Sequence, residues 1–151
     1  MLEQVNVAEG SGVMGSINYL AVVLGAVAFF AVGALWYTVL FGKAWRAQMG
    51  ITAEVIAAQR AKGGASMVTP MLVSLVAELM VSWMLGHQIA RTDPSPRVIM
   101  MFGFGFGAFL MAPAIAINYA YQGRSLKLFL IDAGHFLVGT AAMAAVHLLL
   151  N

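Results

Sequence analysis

The chain has 151 residues, of which 62% are hydrophobic and 9% are charged, and its formal net charge is +2 at pH 7. Soluble domains carry about 25% charged residues, so this composition excludes a soluble globular fold and predicts a single all-α, polytopic membrane domain. The sequence contains no cysteine, which excludes disulfides, thiolate metal sites and cysteine nucleophiles.

The first predicted span covers residues 17–41, which carry no charge and are long enough to cross a hydrocarbon core of about 30 Å. Residues 1–16, ahead of it, contain no Lys or Arg, and a cleavable signal peptide needs a basic start. We therefore interpret them as a flexible tail outside the bilayer. Trp36 and Tyr37, near the other end of the span, are typical of an aromatic belt at the membrane interface, although they could also stack on a ligand.

Residues 42–67 form a basic loop that contains its own helix signals. Thr52 is a suitable N-cap, Glu54 suits a first helical turn, and the pair Gly63-Gly64 suits a helix end. We expect one short helix between them, with Ile51 and Val55 on one side. This helix either lies along the membrane surface or simply connects two spans.

Three further spans are predicted, at about residues 70–90, 96–121 and 126–150. Thr69-Pro70 and Ser95-Pro96 each place a capping side chain before a proline, which is the order expected at a helix start. Ser125 is a suitable cap for the last span. The domain of four spanning helices therefore covers residues 17–151, and the predicted fold is a four-helix transmembrane bundle with a short interfacial helix in its first loop.

The third span carries two local features. Gly103 and Gly107 are four residues apart, and this spacing is typical of a close helix contact, which could be a contact between copies of the chain. Pro113 cannot donate to the carbonyl of Phe109, so the helix is expected to be irregular there.

Lys and Arg fall unevenly on the two sides of a four-span chain. The loop after the first span and the start of the fourth span share most of them, namely Lys43, Arg46, Arg60, Lys62, Arg124 and Lys127. The opposite side has only Arg91 and Arg97. Because basic loops remain in the cytoplasm, we predict that both termini lie outside.

Three stretches resemble one known family: INYLAVVLGAVAFFAVGALWYTVLFGKAW at 17–45, AKGG at 61–64 and GRSLKLFLIDAGHFLVG at 123–139. The family is a group of small bacterial membrane proteins known as domain of unknown function 1761, and the resemblance extends over about residues 17–147. It implies a four-helix membrane protein, and it implies no activity and no catalytic residue. We therefore expect a protein of the bacterial inner membrane, and the distribution of Lys and Arg predicts that both termini lie in the periplasm.

The fourth span begins with KLFLIDAGHFL, which places Asp132 and His135 on one helix face at membrane depth. Glu78 in the second span lies at a similar depth, and Asn118 in the third could join them. Ionisable groups inside a membrane indicate function by default, so this layer is a candidate proton or cation site. Alternatively, it is a structural polar cluster in which Asp132 pairs with Lys127 or Arg124 and Glu78 bonds to His135.

His87 and His147 each lie near the outer end of a span and form a possible ligand pair. Two imidazoles at matched depth could hold a haem or a metal, but no third ligand or attachment motif accompanies them. We therefore expect no metal site and no cofactor.

Two hypotheses about function follow. The first, slightly favoured by the many apolar and glycine-lined faces, is an accessory or scaffold subunit that binds other membrane helices. The second is a proton- or cation-coupled transporter or channel built on Glu78, Asp132 and His135. No pattern for acyl transfer or for nucleic-acid binding is present, so we expect no enzyme and no nucleic-acid partner. The expected partners are the lipid bilayer and either further copies of the chain or a larger membrane complex.

Overall fold

The computed structural model describes residues 15–61, 63 and 65–151, with side chains from residue 67 onward in the last range. The predicted tail therefore lies almost entirely outside the described residues, as does Lys62. Six helices occupy the described ranges: α1 (Tyr19–Leu40), α2 (Gly42–Met49), α3 (Ala53–Ala61), α4 (Ala65–Thr92), α5 (Pro96–Tyr121) and α6 (Leu126–Leu150).

Four of these helices are long and apolar enough to cross a membrane: α1, α4 from Met67, α5 and α6. No strand occurs in the described part of the chain. The prediction of an all-α membrane protein with four spanning helices is confirmed.

Side chains cap the helix start at two of the four spans. Asn18 accepts a hydrogen bond from the backbone N–H of Ala21 at 3.1 Å, and Ser125 accepts one from Leu128 at 3.1 Å. Ser95 precedes Pro96 at the start of α5, as predicted, although the Ser95 side chain makes no capping bond. Each cap satisfies an N–H that the first helical turn would otherwise leave unbonded.

The start of the second span differs from the prediction. α4 begins at Ala65, and Pro70 lies inside it rather than at its first position, so Thr69 is not its cap. A proline in the second turn removes only one backbone donor, and it does so near a helix end, where water can bond to the freed carbonyl. The helix therefore begins five residues before the predicted first position, Pro70.

The first loop contains two helices where one was predicted. α2 ends at Gly50, whose φ of +67° is the left-handed conformation that favours glycine at a helix C-terminus. α3 begins as expected, because Thr52 accepts a long hydrogen bond from the Val55 N–H at 3.5 Å. A hydrogen bond from Thr52 and one from its own backbone N–H hold the pKa of Glu54 below its ordinary value.

α6 is the central helix of the bundle, since it packs against α1 on one side and against α5 on the other. These contacts are close because glycines lie in them. A Cβ at Gly139 would lie 2.1 Å from the Phe29 ring on α1. A Cβ at Gly103 would lie 2.4 Å from the Ala144 Cβ, and one at Gly107 would lie 2.6 Å from the Thr140 hydroxyl.

The predicted role of Gly103 and Gly107 in a helix contact is therefore correct, but the partner is α6 of the same chain. This face is already covered, so it is not available to a second copy. The expectation of an intermolecular contact there is wrong, because the fourth span offers an equally small surface through Thr140 and Ala144.

α4 is held differently from the other spans. It packs along α1 and has few contacts with α5 or α6. The bundle is thus open along one side, between the second and third spans, and we call this opening the α4–α5 seam. It determines where the cavities lie.

Two of the spans contain π-helical segments. In α1 the segment is Trp36–Leu40, and the Phe41 N–H donates to the Trp36 carbonyl, five residues back, at 2.8 Å. In α5 it is Phe106–Met111, and the Ala112 N–H donates to the Gly107 carbonyl. The second segment lies immediately before Pro113, which confirms the predicted irregularity. The wider turn accommodates the bonding that the proline cannot provide.

The ends of the bundle are joined by side chains. The Asn18 amide donates to the Leu150 carbonyl at 2.8 Å, so the start of α1 and the end of α6 lie at one end of the bundle. At the other end, the Ser125 hydroxyl donates to the Gln48 side-chain carbonyl and joins α2 to the start of α6.

Candidate functional site

Two adjoining cavities lie along the α4–α5 seam, with volumes of about 480 and 360 Å³. Tyr37, Ser74 and Phe136 line both of them. The first cavity lies nearer the loop helix α2, because Trp45 and Met49 form part of its wall. The second is deeper and contains Glu78 and His135. Most of the residues that could carry chemistry in this chain therefore border one connected region.

Asp132 lies in the wall of the first cavity and is held by two tyrosines. The Tyr37 hydroxyl donates to one carboxylate oxygen at 2.7 Å, and the Tyr119 hydroxyl donates to the other at 2.5 Å. Asp132 is only 6% exposed. The three residues come from α1, α5 and α6, so this cluster joins three spans. The predicted pairing of Asp132 with Lys127 or Arg124 is wrong, because tyrosine hydroxyls occupy its oxygens.

Trp36 also connects the first span to the fourth. Its indole N–H donates to the Ile131 carbonyl at 2.9 Å, next to Asp132 in α6. Trp36 and Tyr37 are half-buried and both bond to the fourth span. These bonds add a structural role for the pair in joining α1 to α6, and its placement in an interfacial belt stays a prediction.

Glu78 projects from α4 into the second cavity and is 8% exposed. Its Oε2 atom is buried and has no hydrogen-bond partner among the described residues. The other lining residues that α4 contributes are Val73, Ser74, Ala77 and Val81, none of which carries a charge. A buried carboxyl oxygen without a partner costs free energy, and native proteins retain such groups chiefly where they act.

His135 faces Glu78's cavity from α6 and is 7% exposed. Aromatic rings surround its imidazole: the ring centroid of Phe29 lies 5.2 Å away and that of Tyr37 5.0 Å away. Its Nε2 atom is buried and has no hydrogen-bond partner within the described part of the chain, and a Cβ at Gly33 would lie 2.9 Å from it. Gly33 therefore creates the space that this imidazole occupies. The predicted hydrogen bond between Glu78 and His135 is not formed, since both atoms lack partners.

Asn118 does not join this group. It is exposed, and its amide donates to the Ala114 carbonyl of its own helix at 3.0 Å. The expectation that it completes the polar layer is wrong by one position, because its neighbour Tyr119 faces the bundle instead. One residue rotates a helical side chain by about 100°, which moves it from the interior to the surface.

The two outer histidines lie in different surroundings. His147 is fully buried, and its Nε2 lies 3.0 Å from the Ser82 hydroxyl on α4. His87 is half-buried and stacks on Trp83 of the same helix, with ring centroids 5.7 Å apart. A ligand pair would need both imidazoles to face one space. The structure instead assigns His147 to a helix–helix contact, and the described residues contain no group of three His, Asp or Glu side chains suited to a metal.

The charge around the cavities has one sign. Among the described residues that line them, Asp132 and Glu78 are acids and none is Lys or Arg. Ionisable groups face Glu78's cavity from three spans, namely Tyr37, Glu78 and His135, whereas α5 contributes only Met111. This arrangement can bind a cation or a proton on Glu78 while Asp132 is held by its tyrosines.

Sequence reasoning did not identify Tyr119 and Trp45 as site residues, and it considered Tyr37 only as a possible ligand-stacking residue and not as a partner of Asp132. A signal for them was present, since Tyr37 and Tyr119 lie within about one turn of the span ends at the end of the bundle where α6 begins. Comparing the depth of all polar side chains, and not only of ionisable ones, would have grouped them with Asp132. Trp45 lies in α2, outside the spans, so its place in the site could not be predicted from its depth in the membrane.

No curated protein and no solved structure matches the chain. One family model does match, described as protein of unknown function and designated DUF1761, and it covers residues 20–148. This match spans nearly all of the four-helix domain, and the chain belongs to the DUF1761 family.

Proposed function

We propose that this protein is a small proton- or cation-coupled membrane carrier, and that Glu78 in the second cavity is the group that binds the coupled ion. The observation that carries this proposal is a pair of buried polar atoms, Glu78 Oε2 and His135 Nε2, which border one cavity of about 360 Å³ and have no hydrogen-bond partner in the ranges that the structure describes. A structural polar cluster would satisfy these atoms with each other or with backbone groups.

The contrast with Asp132 supports this assignment. Asp132 has a tyrosine hydroxyl on each carboxylate oxygen and joins three spans, as a structural group does. Glu78 lies on the span with the fewest contacts to the rest of the bundle. A carboxyl that exchanges an ion needs a free oxygen and room for movement, and of these two carboxyls Glu78 is the one that combines both.

The carrier operates by movement of α4 relative to α5 and α6. α4 packs mainly on α1, so a shift of α4 changes the α4–α5 seam and leaves the α1–α6–α5 contacts intact. Glu78 moves with α4, whereas His135 and Asp132 remain on α6. Binding of a proton or cation at Glu78 removes its negative charge and lowers the cost of keeping it in an apolar cavity.

Orientation and location form part of the same proposal. We place the protein in the inner membrane of a bacterium with both termini in the periplasm, because most Lys and Arg residues fall in the loops on the opposite side. The first cavity, next to α2, then faces the cytoplasm. The proposal includes no enzymatic step, no cofactor and no resident metal.

The experiment is ion flux into proteoliposomes. Purified protein is reconstituted with a pH-sensitive dye inside the vesicles, and a potassium gradient with valinomycin imposes the potential. We expect proton flux above that of protein-free vesicles for the wild type and for Glu54→Gln, which removes an exposed acid in α3. Glu78→Gln should reduce the flux to the protein-free level. Equal flux in Glu78→Gln and the wild type would refute the proposal.

A second candidate is an accessory subunit, which the open α4–α5 seam favours. Next to the second cavity, this seam contains an apolar hollow of about 260 Å³ lined by Met80, Val81, Met84, Phe106, Leu110 and Met111. A helix of another membrane protein seated there would complete the bundle. Gentle purification and mass determination of the intact particle distinguish the two functions: a defined hetero-complex supports the subunit, and a particle containing this chain alone contradicts it.

A further inference from the structure

We propose that the substrate of the two cavities is a hydrophobic organic cation, such as a protonated or quaternary amine with apolar groups; this inference rests on the proposed carrier function. The geometry that points to it is the combination of aromatic walls, acidic groups without basic ones, and a volume suited to an organic molecule. Each of these observations excludes a different alternative.

Aromatic side chains form much of the wall of the first cavity. They come from three spans and from α2: Phe30, Tyr37, Trp45, Tyr119 and Phe136. The rings of Tyr37 and Trp45 are inclined at 68° with centroids 5.5 Å apart, so they present differently oriented faces. Aromatic faces attract cations through their quadrupole, and cages of such rings are how proteins recognise quaternary ammonium groups. A neutral apolar substrate would not need them.

Acidic side chains mark both cavities. Asp132 borders the first and Glu78 the second, and the described lining residues include no Lys or Arg. Glu78 is more than nine-tenths buried and has an unpartnered oxygen at the cavity. A bound cation would satisfy this oxygen, whereas an anionic substrate would be repelled by it.

The size and apolar character of the cavities argue against an inorganic cation. Volumes of about 480 and 360 Å³ lie in the range of sites for small organic molecules. Hard cations need about six or more oxygen ligands at close range. The second cavity offers only Glu78, Ser74 and Tyr37 as side-chain oxygens, and its remaining wall is largely apolar.

The α4–α5 seam supplies a route of entry. Met111 and Val81 line both the second cavity and the apolar hollow beside it, so the two spaces adjoin. The hollow is bordered by Met80 and Leu110, which are exposed on the outer surface of the bundle. A hydrophobic cation concentrates in the bilayer, and methionine side chains adapt to ligands of varied shape. We therefore infer lateral entry from the membrane through this seam.

The test uses tetraphenylphosphonium as the probe and tetraphenylborate as its matched control, since the two ions share a shape and differ in charge. Binding to the full chain in lipid nanodiscs is measured by titration calorimetry, with empty nanodiscs subtracted. We expect saturable binding of tetraphenylphosphonium and none of tetraphenylborate. No saturable binding of the cation, or equal binding of the anion, would overturn the proposal.

Two variants examine the two parts of the site. Glu78→Gln should weaken binding of tetraphenylphosphonium by roughly tenfold or more, because it removes the buried charge. Trp45→Leu should weaken it as well, whereas Trp45→Phe, which keeps an aromatic face, should retain most of it. Glu54→Gln is the control and should bind as the wild type does. Equal affinity in all four variants would place the cation elsewhere and contradict the proposal. If Glu78→Gln does not fold, the comparison of the two probe ions on the wild type still tests whether the site selects cations.

The same probe tests the carrier function and the substrate class separately. Proton flux that depends on Glu78 but is unchanged by tetraphenylphosphonium, together with no binding of the probe, would leave the carrier supported and the substrate class wrong. Saturable binding without any flux would support the substrate class and contradict the carrier. Counterflow of the probe against protons in the wild type would support both.

Discussion

The hydroxyl of Tyr37 lies 2.7 Å from a carboxylate oxygen of Asp132, although the two residues are 95 positions apart. This bond, with the matching one from Tyr119, joins the first, third and fourth spans at the edge of the first cavity. Because these bonds are partly buried, we expect their loss to lower the free energy of unfolding measurably.

Replacing Tyr37 or Tyr119 by Phe should therefore destabilise the bundle. Each substitution removes one hydrogen bond to a carboxylate, and such bonds contribute about 1.5–3 kcal/mol. Equilibrium unfolding in mixed micelles measures the effect. Tyr121→Phe is the matched control, since Tyr121 is 92% exposed and should change nothing. A Tyr37→Phe protein as stable as Tyr121→Phe would show that the bond to Asp132 is not formed.

Glu78 and Asp132 should respond in opposite ways to loss of charge. Asp132→Asn weakens two hydrogen bonds from tyrosines and should lower the melting temperature. Glu78→Gln removes a carboxyl whose Oε2 has no partner among the described residues, so it should leave the melting temperature unchanged or raise it. Circular dichroism during heating in detergent compares the two. A large destabilisation by Glu78→Gln would indicate a structural role and count against its assignment as the ion-binding group.

Gly103 and Gly105 provide a direct test of the contact between the third and fourth spans. A Cβ at Gly103 would lie 2.4 Å from that of Ala144, whereas one at Gly105 would meet nothing within 4 Å. Gly103→Ala should therefore cost about 1–3 kcal/mol through overpacking, and Gly105→Ala should be near neutral. Unfolding in mixed micelles measures both. Because this face contacts α6 of the same chain, the particle mass of Gly103→Ala should equal that of the wild type; a smaller particle would show that the face joins two copies.

Ser82 and His147 form a buried contact between α4 and α6 whose loss should be costly. Ser82→Ala removes the hydroxyl that lies 3.0 Å from the His147 Nε2, and an unsatisfied buried group costs about 1–3 kcal/mol. His87→Ala is the control, because His87 is half-buried and stacks on its own helix. Thermal unfolding of both variants decides: equal melting temperatures would contradict the buried bond.

The absence of cysteine from the sequence allows the orientation to be tested with single substitutions. Ser95→Cys and Asn151→Cys lie at the predicted periplasmic face, and Gln59→Cys lies in α3 on the cytoplasmic side. A membrane-impermeant maleimide added to intact bacterial cells should label the first two and not the third. Labelling of Gln59→Cys alone would reverse the predicted orientation.

The spans could be predicted because their signals are local. A run of apolar residues identifies a spanning helix by length alone, and Ser125 or Pro113 acts on the turn that contains it. The start of α4 was misplaced because Thr69-Pro70 fits a helix start and, almost equally, a second turn. Local chemistry does not separate these two cases when the preceding residues are also compatible with a helix.

The site was harder to predict because it depends on which helix faces meet. Glu78 and His135 were grouped by depth, and they do border one cavity. Depth did not identify the partners of Asp132, because Tyr37 and Tyr119 reach its carboxylate only through the packing of α1 and α5 against α6. The prediction for Asn118 was wrong for a related reason: the packing of the spans determines whether Asn118 or Tyr119 faces the interior of the bundle.

The hydrogen bond from Asn18 to the Leu150 carbonyl has a consequence for engineering this protein. It places the start of the first span beside the end of the fourth, so a short linker can join the end of one copy to the start of another without crossing the bilayer. A tandem fusion would hold both copies in the same orientation. Such a covalent pair, carrying Glu78→Gln in one half only, would show whether each copy works alone or whether two must act together.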